Sequence, residues 1–493
     1  MAELLLGLDI GTSSCKGALV SLSGEAVAEG QYGYRTDYPR PGWAEQRPED
    51  WWTAVCRVTR GLLDGTGYTA SDIAAVGVDG QSWAMAALDG RGEALLPSPL
   101  WTDTRAAAEC EALQKSLPAL PELCGNPLVP GYTSPKVLWL KKHAPELYGK
   151  TEIVLQSNGY IVYRLTGAYS QDLSQAYGWH CFSNRDLRWD ETAAEAMGID
   201  RRLLPPLYAC HQTVGRVTDE AAAWTGLLAG TPVVAGGLDA AAGTLGVGVT
   251  EAGETQEQAG QAGGMSICLT HYAAHPRLIL SPHVVPGRWL LQGGTTGGSG
   301  AFRWFREQCC PELTYEEMDA LAERSEPLSG GLVFLPYMAG ERSPLWMPEA
   351  KGVFYGLSFA ATRGDMLRAV MEGTAYALRH NLDTAREAGC AVTELRASGG
   401  GAASPLWMTI KANVTGCAMS AVRAERATVR GAAMLAGVGV GAVPGWNAWK
   451  RPASGRRFEP DPALRKRYER GYERYRALIE AMIPVYMEGR NQI

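Results

Sequence analysis

An α/β chain organised as two large domains is what this sequence predicts, from three observations. The chain opens on a strand meander, strands and helices alternate after it, and 493 residues exceed what a single hydrophobic core usually serves.

The opening Leu4-Leu5-Leu6-Gly7-Leu8-Asp9 is a short, continuous apolar run fit for a buried strand, and Gly11-Thr12-Ser13-Ser14 follows it as a small polar turn. Ala18-Leu19-Val20 and Ala26-Val27-Ala28 flank Ser23-Gly24-Glu25 and read as an antiparallel hairpin. Pro48 opens a helix whose Trp51, Val55, Val58 and Leu62 recur at helical spacing, and Ile73 to Val78 returns as a strand ahead of Asp79-Gly80-Gln81. Further on, Val233 to Leu238 is a second apolar strand that ends in an aspartate, Asp239. The two Leu-Asp strand ends suggest a duplication, with Asp9 and Asp239 closing related strands and facing one another across a cleft; chance recurrence of a short string is the competing reading. Asp365 to Ala388 forms a long helix stopped at Gly389. The last helix, about Pro462 to Met482, carries the packing stripe Leu464, Tyr468, Tyr472, Tyr475, Leu478 and Met482.

Composition excludes several function classes. A formal charge of −6 with scattered basic residues leaves no electrostatic footprint for nucleic acid. Eleven cysteines, an odd number without a C-x-x-C pair, read as reduced, mostly buried thiols of a cytoplasmic protein. No basic leader precedes the first strand, so secretion by a signal peptide is not expected. Ala229 to Val249 has few charges, but its glycines and Pro232 argue for strand, turn and helix rather than a membrane span. The seven histidines show no paired metal-ligand spacing.

Candidates for phosphate chemistry stand out. In Asp9-Ile10-Gly11-Thr12-Ser13-Ser14-Cys15-Lys16, Gly11 permits a tight turn, the hydroxyls and amides of Thr12 and Ser13 suit phosphate oxygens, Lys16 adds charge and Asp9 is a carboxylate suited to Mg²⁺. A structural hairpin gives the same string. Gly399-Gly400-Gly401 precede Ser404 and Pro405, the N-cap and first residue of a helix whose N-terminus favours negative charge. A tight strand-to-helix turn is the plain alternative there. The glycine-rich Gly293 to Gly300, Gly298 within it, is a weaker third set. Gly149-Lys150-Thr151 only imitates a P-loop end, because Ala144 stands where the first glycine is required. Asp239, a carboxylate among glycines, suits a base that accepts a hydroxyl proton, or else a helix cap for Ala240 to Leu245.

Taken in order, Asp9 to Lys16, Leu100-Trp101-Thr102-Asp103-Thr104-Arg105, Gly131 to Leu140, Gly236 to Asp239, Gly340-Glu341-Arg342-Ser343-Pro344, Lys351 to Leu357, Glu372-Gly373-Thr374 and Gly399 to Ala402 resemble the FGGY family of carbohydrate kinases, with the xylulokinase branch nearest. The resemblance spans essentially the whole chain. It implies two ribonuclease H-like, actin-type domains around a central cleft, a sugar-binding one over 1–247 and a nucleotide-binding one over 248–493. It implies ATP and Mg²⁺ as cofactors, Asp239 as catalytic base and Asp9 near the metal. Substrate contacts are expected at Gln81, Ser82, Trp83, Trp101, Asp103, Asp239 and Ala240. Nucleotide contacts are expected at Gly11, Thr12, Ser13, Lys16, Gly260, Gln261, Gly298, Gly400, Gly401 and Ser404. A small sugar is then the partner, with no nucleic acid or membrane, and a homodimer is the association to test.

Departures from the family pattern bear on the substrate. Gly80-Gln81-Ser82-Trp83-Ala84 stands where xylulokinases carry Gly-Gln-Met-His-Gly, Ala240 replaces the asparagine after the base, and Gly260-Gln261-Ala262 replaces Gly-Thr-Ser. Losing two polar groups from a hydroxyl-rich ligand's pocket changes which hydroxyls are paired. Trp83 and Trp101 suit stacking on a sugar's apolar face or a place in the core. The resemblance therefore leaves a xylulose-like pentulose or related ketose as the expected acceptor, with gluconate, erythritol or glycerol as alternatives. A non-catalytic nucleotide switch or a sugar sensor is the reading from another class.

Overall fold

The computed structural model describes residues 3–422, 426–450 and 456–489. These fall into two compact units, each built on its own sheet. The first takes the chain up to Thr250 and two later returns, Leu280–Trp289 and Arg426–Lys450. The second takes Glu251–Ile279 and the described residues of Leu290–Glu425 and Arg451–Ile493.

The first sheet begins with the expected meander: β1 (Leu4–Ile10), β2 (Ser14–Ser21) and β3 (Ala26–Gly33) pair antiparallel in sequence. β4 (Ile73–Gly80) joins parallel to β1, in register from Leu5↔Ala75 to Asp9↔Asp79. With β5 (Thr213–Arg216), β6 (Pro232–Val234) and β7 (Gly237–Leu238), the order is β5-β6-β4-β1-β2-β3, and β7 also pairs with β4. All seven residues of β1 are buried, as a central strand covered on both faces requires, which is why its sequence is apolar without alternation. One face carries the helix Pro48–Asp64, with Pro48 in its first turn beside Glu49 and Asp50, and with Trp51, Val55, Val58 and Leu62 all buried. The helix Ala427–Gly439 lies so close to the sheet that a Cβ on Gly7 or Gly77 would run into the carbonyl oxygens of Val429 or Ala432.

In the second unit, β8 (Glu254–Ala259) and β9 (Gly263–Leu269) pair antiparallel, and β10 (Trp289–Thr295) lies beyond β9. β11 (Glu394–Ser398) runs parallel to β8, β12 (Met419–Ala421) parallel to β11, and β13 (Arg457–Phe458) antiparallel at the edge. This order, β10-β9-β8-β11-β12-β13, repeats the plan of the first sheet. The long helix Arg363–Glu387 is closed at its start by a Thr362/Asp365 capping box, and Gly389 follows it at φ +80°. Tyr468, Tyr472 and Tyr475 of the last helix are buried in this unit's core, where the Tyr475 and Tyr337 hydroxyls lie 2.6 Å apart.

Three expectations are corrected. A duplication is present in the sheets, but the counterpart of β1 is β8; the segment leading to Asp239 belongs to the first unit's sheet. The recurring Leu-Asp was a coincidence of composition, and the true repeat is hidden because β8 carries Gln256, Glu257 and Gln258. Val233 to Leu238 is not one strand: Gly236, at φ +74°, breaks it between β6 and β7, and a Cβ there would meet the Val78 carbonyl. The last helix runs Arg465–Gly489, past Pro484, because its tyrosine stripe is anchored by packing. Among the described residues no helix is long and apolar enough to cross a membrane. Ala229 to Val249 resolves into strand, turn and helix, and Gly149-Lys150-Thr151 into the end of a short helix, Pro145–Lys150.

Candidate active site

Within the first unit the ends of β1, β4 and β7 bring three aspartates together. Asp9 is the penultimate residue of β1 and is 3% exposed. Its Oδ2 accepts a hydrogen bond from Thr428 Oγ1 at 2.9 Å and lies 3.5 Å from Lys16 Nζ, while its buried Oδ1 has no partner. Lys16 stands opposite Asp9 because β1 and β2 pair Asp9↔Lys16, and Thr428 arrives from the start of Ala427–Gly439. Asp79, the register partner of Asp9 on β4, is wholly buried with its carboxyl set against that of Asp9. Burial first, then the charges of Asp9 and Asp239, push its carboxyl well above the usual range.

Asp239 is the first residue of the helix Asp239–Gly246 and is only partly covered; its Oδ1 accepts from the Ala240 amide at 2.6 Å. The cap position belongs to Leu238, and the Asp239 carboxylate serves an amide of the helix's first turn while keeping a partly open face. Desolvation and the Asp9 charge push its carboxyl up to about 7, against the Ala240 amide and Lys16, which pull it down. A carboxyl so poised accepts a proton near neutral pH far better than an ordinary aspartate.

Around these carboxyls the other residues expected in this unit take definite places. Gly11, Thr12 and Ser13 form the turn between β1 and β2; the Tyr34 hydroxyl donates to the Gly11 carbonyl, and Trp101 Nε1 donates to Thr12 Oγ1 at 3.2 Å. Trp101 remains 38% exposed, open to a ligand, whereas Trp83 is buried and packs edge-on against Tyr132, ring centroids 4.0 Å apart. Trp83 occupies left-handed backbone space at φ +51°, which costs about 1–2 kcal/mol for a bulky residue. Lys136 ties this turn down: fully buried, its Nζ donates to the carbonyls of Trp83 at 3.0 Å and Pro99 at 3.3 Å. Desolvation drives its ammonium down to about 7, although nearby Asp103 works against that. Gln81 is buried on Gln46, and Ser82 is partly exposed. Asp103 is committed internally, accepting from the Ala44 amide at 2.7 Å and from Arg105 at 2.9 and 2.8 Å. Ala240 places only an amide and a methyl beside the base.

The second group of expected residues lines a cavity of about 440 Å³ within the second unit. Gly260 and Gln261 form the turn between β8 and β9; Gly400 and Gly401 lie in a single tight turn after β11; Ser404 caps Pro405–Thr415, accepting from the Trp407 amide at 3.1 Å. Gly298 sits behind the cavity wall, ahead of Ser299–Cys309, where a Cβ would strike the Ala262-Gly263 turn. Phe302, Tyr315 and Trp407 add aromatic walls, Tyr315 stacked on Phe302 at 6.2 Å. A slot of this kind, flat aromatics beside glycines and a helix N-terminus, suits a base joined to phosphates.

Asp79 and Lys136 carry no chemical signal of their own in the sequence, one standing at a strand end and the other inside the Gly131 to Leu140 motif, and Thr428 lies 419 positions from its partner Asp9. The cavity aromatics carry no signal beyond hydrophobicity. All eleven cysteines are free and only Cys309 is exposed. Asp9, Asp79 and Asp239 lie near one another, but among the described residues no three or more His, Cys, Asp or Glu side chains are arranged as a metal-ligand set; Mg²⁺ commonly rests on one or two carboxylates. Asp9 Oδ1, buried and unpaired, fits that use.

Comparison with known proteins finds one family along most of the chain. Residues 4–246 match the model described as "FGGY family of carbohydrate kinases, N-terminal domain", and residues 266–440 match that of the C-terminal domain. Xylulose kinase of Escherichia coli (strain K12) is 33% identical over 422 residues, 84% of this chain and 85% of that protein. L-xylulose/3-keto-L-gulonate kinase of the same organism is 28% identical over 98% of both chains. The crystal structure of xylulose kinase from Rhodospirillum rubrum superposes with a TM-score of 0.92 at 32% identity, covering 98% of this chain and 100% of that one. The two units therefore have the actin-like, ribonuclease H-like fold of these kinases.

Proposed function

The chain belongs to the FGGY family of carbohydrate kinases and is a sugar kinase, and on that premise we propose that it moves the γ-phosphate of ATP to a hydroxyl of a xylulose-like pentulose or related ketose, deprotonated by Asp239. The observation that carries the reading is the state of Asp239: partly open, at the start of a helix, beside Asp9, with its carboxyl pushed up to about 7.

Each residue has a task in this scheme. Asp239 accepts the acceptor hydroxyl's proton as the oxygen–phosphorus bond forms, and the helix N-terminus behind it steadies the arrangement. Trp101 offers its exposed face to the sugar ring or chain, held by its bond to Thr12. Gly11 to Ser13 present amides and hydroxyls to phosphate oxygens, and Lys16 supplies positive charge. Asp9, with Oδ1 free, would hold Mg²⁺, which when bound neutralises phosphate charge. The cavity of the second unit takes the nucleotide, its base between Tyr315, Phe302 and Trp407 and its phosphates on the backbone of Gly260-Gln261 and Gly400-Gly401. Trp83 and Ala240 remove polar partners from the acceptor side, so the preferred acceptor differs from that of an enzyme with histidine and asparagine there.

The test is Asp239→Asn, assayed by ADP release against D-xylulose, L-xylulose, gluconate, erythritol and glycerol. We expect turnover to fall by roughly 10²–10⁴ with the fold intact. Near-normal phosphorylation by the folded variant would remove the base assignment, and ATP turnover indifferent to every acceptor would remove the sugar-kinase chemistry.

A further inference from the structure

Behind the candidate site lies a fully buried polar network that the reaction scheme does not use. Its hub is Asp172, 1% exposed. Oδ1 accepts from Ser174 Oγ at 2.6 Å and the Gln175 amide at 3.0 Å, and Oδ2 accepts from Asn158 Nδ2 at 3.0 Å. From this hub two arms reach the two segments that flank the site.

The first arm is Ser174. Its hydroxyl, donating to Asp172, accepts the Leu238 amide at 2.9 Å, one residue before Asp239 and two after the left-handed Gly236. Asn158 supports the same segment by donating to the Ala235 carbonyl at 3.2 Å. The second arm is Gln175. Its Oε1 accepts the Trp83 amide at 3.2 Å, while its Nε2 donates to the Gly80 carbonyl at 3.3 Å and to Asn158 Oδ1 at 3.0 Å. The arms therefore end on two segments beside the site that each hold a residue at positive φ, Gly236 in one and Trp83 in the other. At Trp83 that conformation is strained and persists only where its surroundings over-determine it, a constraint to which Gln175 contributes through the Trp83 amide.

We propose that Asp172 anchors a two-armed positioning network: through Ser174 it sets the aim of Asp239, and through Gln175 it sets the Gly80–Trp83 turn that selects the acceptor. This rests on the reading of Asp239 as base. Because a buried carboxylate holds both arms, the aim of the base and the shape of the acceptor turn are fixed by separate residues and are separable by mutation. Displacing a catalytic group by about 1 Å costs roughly 10²-fold in rate, so the first arm governs kcat. The second governs how well a given sugar fits.

The experiment compares Ser174→Ala with Gln175→Ala in the full-length enzyme, kcat being normalised to the stoichiometry of ADP binding so that only folded protein counts. Ser174→Ala should lower kcat by roughly 10- to 100-fold and leave the acceptor KM within about threefold. Gln175→Ala should raise the acceptor KM by roughly tenfold or more, reorder the acceptor panel and leave kcat within about threefold. Ser174→Cys, which keeps a weak acceptor, should fall between wild type and Ser174→Ala, and it carries the test if the alanine variant does not fold. The same kinetic pattern in both variants, or unchanged kcat in both Ser174 variants, overturns the proposal. Asp239→Asn run alongside separates the two levels: if it retains turnover the base reading fails, and if it is silent while Ser174→Ala is normal only the network proposal fails.

Discussion

Replacing Lys136 by methionine gives the sharpest physical test of how the first unit is built. The ammonium is fully buried, bonded only to the carbonyls of Trp83 and Pro99, and desolvation lowers its pKa from 10.5 to about 7. At 1.36 kcal/mol per pH unit, that gap corresponds to about 5 kcal/mol in favour of the neutral amine. The sign follows from proton counts. Below pH 7 both folded and unfolded chains carry the charge, and the folded one bears the cost of burying it. Between about 7 and 10.5 the unfolded chain binds a proton that the folded chain lacks, so wild-type stability rises with pH. Lys136→Met removes this dependence while keeping most of the side-chain volume. Urea unfolding of both proteins at pH 6, 7.5 and 9.5 should show the variant at least as stable at pH 6. Between pH 7.5 and 9.5 the stability difference should then move toward wild type by about 3 kcal/mol. A difference that stays flat with pH would show that Lys136 is not buried as a near-neutral amine.

Other outcomes follow from the same geometry. The acceptor kcat/KM should fall as pH drops below about 7, tenfold per unit once Asp239 is protonated, and the limb should be absent from whatever activity Asp239→Asn retains. Gly236→Ala should destabilise the first unit by roughly 2 kcal/mol or more in thermal unfolding, since it adds left-handed strain and drives a methyl at the Val78 carbonyl. Gly400→Ala meets nothing within 4 Å, so the melting temperature should hold while the KM for ATP rises several-fold; an unchanged KM would place the phosphates elsewhere.

Much of the candidate site was legible because its residues sit at strand ends with local signals. Asp9 follows a run of buried leucines, Ser404-Pro405 announces a helix start, and Asp239 follows a glycine pair. Asp103 and Trp83 show the limit of such reading. Asp103 accepts from Arg105 and the Ala44 amide, and Trp83 is packed against Tyr132 with little surface left open, neither of which the sequence announces. Residue type and position in a motif cannot tell a side chain that meets a ligand from one that holds the wall behind it. Asp172, Ser174, Gln175 and Asn158 gave no signal either, since a polar residue in sequence looks the same whether it is bound for solvent or for a buried network.

The amino-acid order alone determined the local elements: the opening meander, the amphipathic helix from Pro48, the capped helix ending ahead of Gly389, and the cysteine-poor surface. Each depends on interactions among neighbours a few positions apart, through backbone preference and hydrophobic period. Only the tertiary structure decided that the second sheet starts at Glu254, that Ala427–Gly439 returns to the first unit and puts Thr428 on Asp9, and that Asp79 shares the register of Asp9. Those outcomes depend on contacts across tens to hundreds of residues, and the pKa of Asp239 depends on them in turn. Its proton affinity is set by burial and by a neighbouring charge that chain order does not reveal.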